Sequence, residues 1–425
     1  MRTSMCGILL VLGLPLLTES SQAQAEGIQP QGFVRIPEKL TLESALGLLR
    51  FHPSLRAKQL EIDVEKGDVI DAEKYSNPSF SFTSDGIVFD ADRGSLLNRI
   101  QPSVVFRQEI LTAGKRQKRT RVELADTEIV SMEVHDLHRV LRFDVKQAYF
   151  QVVLAQEDLR LAREILDQFE GVVRLNRIRF EKGEISGGEL RRTEAAQYRF
   201  LEDVIQAEVR LENAKDRLLA TLGNNDFDQD YEAVDPFDSK FVPPPLAQLA
   251  EIALRERPDL AAQRARVNRS GYAVDLEKAR AVPNISLFAG YQRELDSSGP
   301  VVGIDIPLFV FNRNQGRINR VEAERRQETE RVRLREITVL AEVRIALEQL
   351  NGNRRRIEAL EGEYLEKARQ ARDITEASYR LGEASLIEFL DAERTYSETR
   401  RLYNQALYDF EISRAALQLA VGEDL

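Results

Sequence analysis

The chain has 425 residues, with 60 Lys plus Arg against 70 Asp plus Glu, a net charge of -10, 43% hydrophobic residues, three His, one Cys and no Trp. That length sets a prior of two or three domains, and a charged fraction of 31% excludes a polytopic helical membrane protein. The acidic balance argues against a nucleic-acid partner, and so few His and Cys leave little material for a metal site or a thiol nucleophile.

The first element is the only long apolar run, residues 7–17. It is too short to cross a hydrocarbon layer that needs ~20 residues. With Arg2 before it and Ala23-Gln24-Ala25 after it, residues 1–25 read as a signal peptide, so the chain is expected to be exported. Cys6 precedes the apolar run and leaves with the signal. The mature chain then has no disulfide in an oxidising compartment and must be held by burial and oligomerisation.

Residues 26–223 form a first repeat. A helix over 54–75 is stopped by Asn77-Pro78. Strands follow at about 79–90 and 102–110: Phe80 and Phe82 alternate with Ser79, Ser81 and Thr83, and Val104, Phe106 and Ile110 oppose Ser103, Arg107 and Glu109. The length and dyad period match a tilted transmembrane β-strand. A long helix at about 116–180 carries Leu141, Val145, Ala148, Val152, Ala155, Leu159, Ala162, Leu166, Phe169 and Val173 at alternating spacings of four and three, a coiled-coil seam. At 1.5 Å per residue it is ~95 Å long. A glycine turn, Lys182-Gly183-Glu184, leads to a return helix over 188–222.

Residues 224–245 are acidic, end in three prolines and read as an extended linker. Residues 246–425 then repeat the pattern. Leu49, Pro53, Leu55, Ala57 and Pro78 recur 205 positions later as Leu254, Pro258, Leu260, Ala262 and Pro283, and Phe180, Gly183, Glu184, Ser186 and Glu189 recur 199 later as Tyr379, Gly382, Glu383, Ser385 and Glu388. The second copy has strands at about 284–292 and 301–309 and a long helix at about 314–380. Its looser seam is Val343, Leu347, Leu350, Ile357, Leu360, Tyr364, Ala368 and Ala371; a turn at Leu381-Gly382-Glu383 and a return helix over 385–421 follow. The fold class is mainly α with a small transmembrane β part, a duplicated β-hairpin standing on a long antiparallel helical hairpin.

Four strands cannot close a barrel, and open edges in lipid leave backbone groups unpaired at several kcal/mol each. Two chains would give eight strands whose interior side chains fill; three would give twelve and a lumen. Three is favoured.

With a signal segment, two copies of helix, proline stop, β-hairpin and long helix, and a Y-x-x-G-like turn, the mature chain resembles the TolC family of outer-membrane efflux proteins. Gln108-Glu109-Ile110-Leu111-Thr112-Ala113-Gly114-Lys115-Arg116, and Ile306-Pro307-Leu308-Phe309 with Asn312-Arg313-Asn314-Gln315-Gly316, are similar to the cobalt-zinc-cadmium type. The resemblance implies a homotrimer in a Gram-negative outer membrane, with a 12-stranded β-barrel continuous with a periplasmic α-helical barrel. It implies two partners, a periplasmic adaptor and an inner-membrane pump of the resistance-nodulation-division class, and a cargo of heavy-metal cations or small toxic compounds chosen chiefly by the pump. It also makes Gly183, Glu184, Gly382 and Glu383 the periplasmic tip that meets the adaptor, and Tyr379 and Phe180 the entrance-gate candidates. The family's gate arginine is Ala384 here.

Glycines that merely permit a reversal would explain the turns equally well. Glu181, Glu189, Glu388 and Asp391, with Glu184 and Glu383, are candidates for an acidic entrance ring favouring cations, against the reading of a solvated helix face. Lys115, Arg116, Lys118, Arg119 and Arg313 form a basic cluster below the strands, expected to meet lipid phosphates because charges at a helix start oppose the macrodipole. His135 and His138 share a helix face without an evident third ligand and read as polar surface residues rather than a metal site. No cofactor is implied and no catalytic motif is present, so the chain is not expected to be an enzyme. The alternatives are a type I secretion outer-membrane channel, a periplasmic adaptor, which would lack the duplicated strand pairs, and a coiled-coil scaffold, which leaves the strands unexplained.

Overall fold

Every seam residue between Leu141 and Val173 is buried except Leu166, which is half-buried, because several segments of both repeats pack on that face. The computed structural model describes residues 35–87, 100–294 and 297–425, so the signal peptide of residues 1–25 and positions 88–90 of the first strand lie outside the described residues. Helix α1 is Leu42–Leu48, α2 is Pro53–Glu73, and α3 runs from Lys115 to Glu181. Its 67 residues give ~100 Å of rod. Helix α4, Gly187–Thr221, returns antiparallel along it, starting where the Ser186 hydroxyl accepts the Glu189 amide.

After the linker come α5 (Leu246–Glu256) and α6 (Pro258–Arg280). The second long helix departs from the single span of about 314–380. It is α7 (Gln315–Ala359), one π turn (Leu360–Tyr364) and α8 (Leu365–Leu381), with α9 (Leu386–Val421) returning. A π turn adds one residue to the local repeat, so side chains beyond it are rotated by ~100°. Tyr364 and Ala371, expected in the seam, are therefore exposed, and Leu365, Arg372 and Tyr379 take the inward positions.

Strands β2 (Ser79–Ile87), β3 (Ile100–Ile110), β5 (Ile285–Arg293) and β6 (Ser298–Asp305) form one antiparallel sheet in the order β2-β3-β5-β6. The fourth strand starts and ends earlier than the expected 301–309, and Pro307 removes a donor just past its end. Two short strands outside the expected set, β1 (Lys39–Leu40) and β4 (Glu232–Ala233), pair in parallel. They change the reading of residues 224–245, which are extended but docked: Tyr231 and Ala233 are buried, and the Tyr149 hydroxyl lies 3.0 Å from the Leu40 carbonyl and 2.8 Å from the Asp235 carboxylate.

The core is divided between the repeats. Leu40, Leu49, Val145, Tyr149 and Leu218 centre one cluster, and Leu249, Val339, Leu350, Phe410 and Leu417 the other. Further along the rods smaller clusters continue the core, one of them joining Phe169 and Val173 to Tyr379 and Phe389, while Tyr198, Leu201, Ile205 and Val209 form an uncovered apolar stripe on α4.

Candidate functional site

Strand register assigns each side chain to one of two unlike faces. Phe80, Phe106, Ala289 and Val302 align as one rank across all four strands; Phe82, Val104, Tyr291 and Pro300 form the next. The Phe80 and Phe106 rings are 5.1 Å apart, yet each is about 60% exposed, at 61% and 58%. The opposite face carries Ser79, Arg107, Phe288 and Gly303, then Glu109, Ser286 and Asp305. There Arg107 Nη1 meets Asp305 Oδ2 at 3.2 Å and the guanidinium covers the Phe288 ring. Gly290 is required where β3 crosses β5, because a Cβ would lie 2.2 Å from the Val104 carbonyl oxygen. An aromatic, largely exposed face opposite a polar one suits lipid outside and water inside. Among the described residues, edges β2 and β6 are both unpaired.

Below the sheet the basic cluster needs a correction. Lys115 is buried and donates to the carbonyl of Val282 at 2.5 Å and to Asn284 Oδ1. Arg116 donates to the Glu73 carbonyl at 3.0 Å and lies over the Tyr75 ring, while Arg119 donates to the carbonyls of Ala72 at 2.9 Å and Lys74 at 3.1 Å. Local structure therefore does explain these charges: Arg116 and Arg119 satisfy orphan carbonyls at the end of α2 and sit at its negative pole, while Lys115 binds the segment just past α6. Lys118 is half-buried, and Arg313, which donates to the Phe309 carbonyl, is exposed.

At the far end of the rods, Gly183 and Gly382 adopt φ of 77° and 83°, the left-handed region that lets each helix reverse. Glu181, Glu184 and Glu383 are exposed around the turns, as is Asp391, and Glu189 is half-buried. Glu388 is exposed but engaged, since its carboxylate accepts the Ser385 amide at 2.7 Å in a capping box. The backbone amide and hydroxyl of Ser385 hold the Glu388 carboxyl below its usual value. Tyr379 and Phe180, matched by the repeat, have different fates. Phe180 is 45% exposed at the tip, whereas Tyr379 is 2% exposed, stacked on Phe389 and hydrogen-bonded by Asn176 Nδ2. The same Asn176 amide donates to Thr193 Oγ1 at 2.8 Å, and Arg179 donates to the carbonyls of Tyr379 and Arg380.

Three polar clusters were not read from the sequence: Asn176 with Thr193 and Tyr379, Arg372 with Glu393, and a network around Arg257. Arg257, 2% exposed, grips Asp259 through Nε at 3.0 Å and Nη2 at 2.6 Å, and also reaches Glu342 and the Ala420 carbonyl. Burial alone would raise the Asp259 carboxyl, but Arg257, Arg335 and Arg139 hold it far below the carboxylate range. Single residues embedded in charge-rich helices carry no periodic signal. His135 is exposed and His138 half-buried beside Arg139 and Arg142, cations that oppose a metal ion. No cluster of three or more potential metal ligands occurs among the described residues.

The family model described as outer membrane efflux protein matches residues 48–224 and 249–423. The chain is 25% identical over 371 residues, 86% of its own length and 85% of the relative's, to the cobalt-zinc-cadmium resistance protein CzcC of Cupriavidus metallidurans. It is 28% identical over 322 residues, 73% of its length and 65% of the relative's, to the pyoverdine export outer membrane protein OpmQ of Pseudomonas aeruginosa. Among solved structures, CusC superposes with a TM-score of 0.74 at 19% identity, covering 90% of this chain and 92% of that one.

Proposed function

The chain belongs to the outer membrane efflux protein family, and from that premise we propose that three copies join their sheets edge to edge into a 12-stranded barrel whose helical hairpins continue as an α-helical barrel in the periplasm. The protein is an outer-membrane efflux channel component; its work is conduction, not catalysis. The observation that carries the trimeric reading is a four-stranded sheet whose edges are both open among the described residues, with an aromatic face left bare. Twelve strands leave a lumen into which the face of Arg107, Ser286 and Asp305 would turn. The uncovered stripe of Tyr198, Leu201, Ile205 and Val209 supports the same assembly in the helical part.

Substrate would enter at the turns. We assign Gly183, Glu184, Gly382 and Glu383 to contact with a periplasmic adaptor, which couples the channel to an inner-membrane pump of the resistance-nodulation-division class. Phe180 is the better entrance-gate candidate of the matched pair, since Tyr379 is committed to packing. Glu181, Glu189 and Asp391, repeated threefold, would favour cations, with Glu388 held as a helix cap. Lys118 and Arg313 are left to meet lipid phosphates. Heavy-metal cations or small toxic compounds are the proposed cargo, a reading supported by the name of the cobalt-zinc-cadmium relative.

The test is export from intact cells. A strain lacking the chain should become sensitive to cobalt, zinc or cadmium, and Gly382→Arg should abolish rescue while the protein still runs as a trimer in outer-membrane extracts. Full rescue by Gly382→Arg would remove the tip assignment, and a monomer in extracts would remove the barrel. Planar-bilayer recordings should show cation preference; anion preference would dismiss the acidic ring.

A further inference from the structure

Glu393 of α9 is 2% exposed, and its Oε1 has no hydrogen-bond partner. The groups facing it come from the helices packed around it. Helix α8 supplies Arg372, 6% exposed, with Asp373 and Glu376; α3 supplies Glu164 and Gln168; α9 itself supplies Tyr396, whose ring lies 4.6 Å from the Arg372 guanidinium. Phe200 of α4 packs on the adjoining Leu161, Ile165 and Tyr396. Arg372 is already engaged elsewhere: Nη1 donates to Gln168 Oε1 at 2.5 Å and Nε lies 2.9 Å from Asp373. Arg380 neutralises Glu376 at 2.7 Å. An ionised Glu393 would therefore share one already engaged guanidinium with Asp373, in a place water does not reach.

Burial pushes the Glu393 carboxyl up to about 7, with Glu376, Glu164 and Asp373 reinforcing the shift and Arg372 opposing it. Its ordinary value is 4.5. Between the two values the packed seam holds a proton that an opened seam releases. The seam is most stable below the lower value and loses stability as pH rises through the upper one.

We propose that Glu393 is a proton-operated latch on the outer half of the second helical hairpin. Protonated, it lies in the seam among α3, α8 and α9; ionised, it draws in water or Arg372 and loosens α8 and α9 from α3. Only the consequence rests on the channel reading, since the loosened pair carries the entrance turn at Gly382.

Hydrogen exchange followed by mass spectrometry on the full-length protein in detergent, corrected for intrinsic rates, tests the latch. Amides of α8 and α9 between residues 365 and 404 should lose about tenfold protection from pH 6 to pH 8, the change one such proton supplies. Glu393→Gln should abolish that step, and Glu393→Asp, which keeps a carboxyl, should retain one. Arg372→Gln should move the step to higher pH. A flat wild-type profile, or an unchanged step in Glu393→Gln, overturns the proposal. The readout needs no conduction, so a chain that conducts without the step loses the latch, and one with the step that fails to conduct loses only the channel reading.

Discussion

Asn176 on the first helical hairpin donates from Nδ2 to the hydroxyl of Tyr379 on the second, 2.5 Å away, across 203 positions of sequence. Both side chains are buried, and the same amide also holds Thr193 of α4. One carboxamide therefore binds three helices near the tip. It does so in a place where a missing partner is costly, because a buried unpaired polar group loses its hydration without compensation.

Asn176→Ala should loosen the tip by about 1–3 kcal/mol, since it strips the donor from two buried hydroxyls at once. Tyr379→Phe should cost less, about 1 kcal/mol, because Asn176 keeps Thr193. The double variant should lose less than the sum. Amide protection over residues 172–193 and 376–389 is the measurement, and strict additivity would show that the two side chains act independently.

Glycine substitutions should separate turn chemistry from crowding. At Gly382, with φ of 83° and open space around a new Cβ, Ala should cost only the backbone strain of about 1 kcal/mol. At Gly223, with φ of 73°, the same change also drives a Cβ to 2.5 Å from Pro53 Cδ, at the joint between α4 and α2. Gly223→Ala should thus lower the thermal midpoint much more than Gly382→Ala. Equal midpoints would mean that the joint yields freely.

Arg257→Met should destabilise the second repeat by on the order of 3 kcal/mol, because Asp259, Glu342 and the Ala420 carbonyl lose their shared partner. Arg257→Lys should rescue little of this, lacking the planar fork that grips Asp259 at two atoms. The Asp259 carboxyl is depressed in the folded chain, so its contribution is present above its ordinary value of 3.8 and declines as pH falls below it. Asp259→Asn should flatten the acid limb of a urea-stability profile between pH 4 and pH 2; an unaltered limb would assign acid sensitivity to other carboxyls.

The two faces of the sheet should tolerate charge unequally. Phe106→Lys places an ammonium on the aromatic face, where midplane charges in barrels cost about 2–4 kcal/mol, while Ser286→Lys places it on the polar face. Recovery of heat-stable trimer from outer membranes should fall sharply for the first and little for the second. The reverse order would turn the sheet inside out.

Much of this architecture is written in short-range pattern. The alternation of Phe80 and Phe82 with serines, the spacing of four and three from Leu141 to Val173, and the glycines at 183 and 382 each depend on neighbours a few residues away, and the duplication repeats such patterns at a fixed offset, so all are visible in one sequence. The missing cysteines and open strand edges pointed to assembly for the same reason. Where local rules were the whole argument, they also misled. Helix-dipole rules leave Lys115, Arg116 and Arg119 without local partners, because the carbonyls they satisfy, at the end of α2 and just past α6, are brought beside them only by the fold.

What only the tertiary structure decided follows from contacts between segments distant in sequence. One π turn moved the inward positions from Tyr364 and Ala371 to Leu365 and Arg372, because a single added residue rotates everything beyond it. Packing against Phe389 and Asn176 then made Tyr379 a core residue while its repeat mate Phe180 stayed at the surface. Periodicity says which face of a rod is apolar. Which polar atoms meet across the rods, Asn176 with Tyr379 or Arg257 with Asp259, depends on closure in three dimensions, and one chain of letters carries no signal for it.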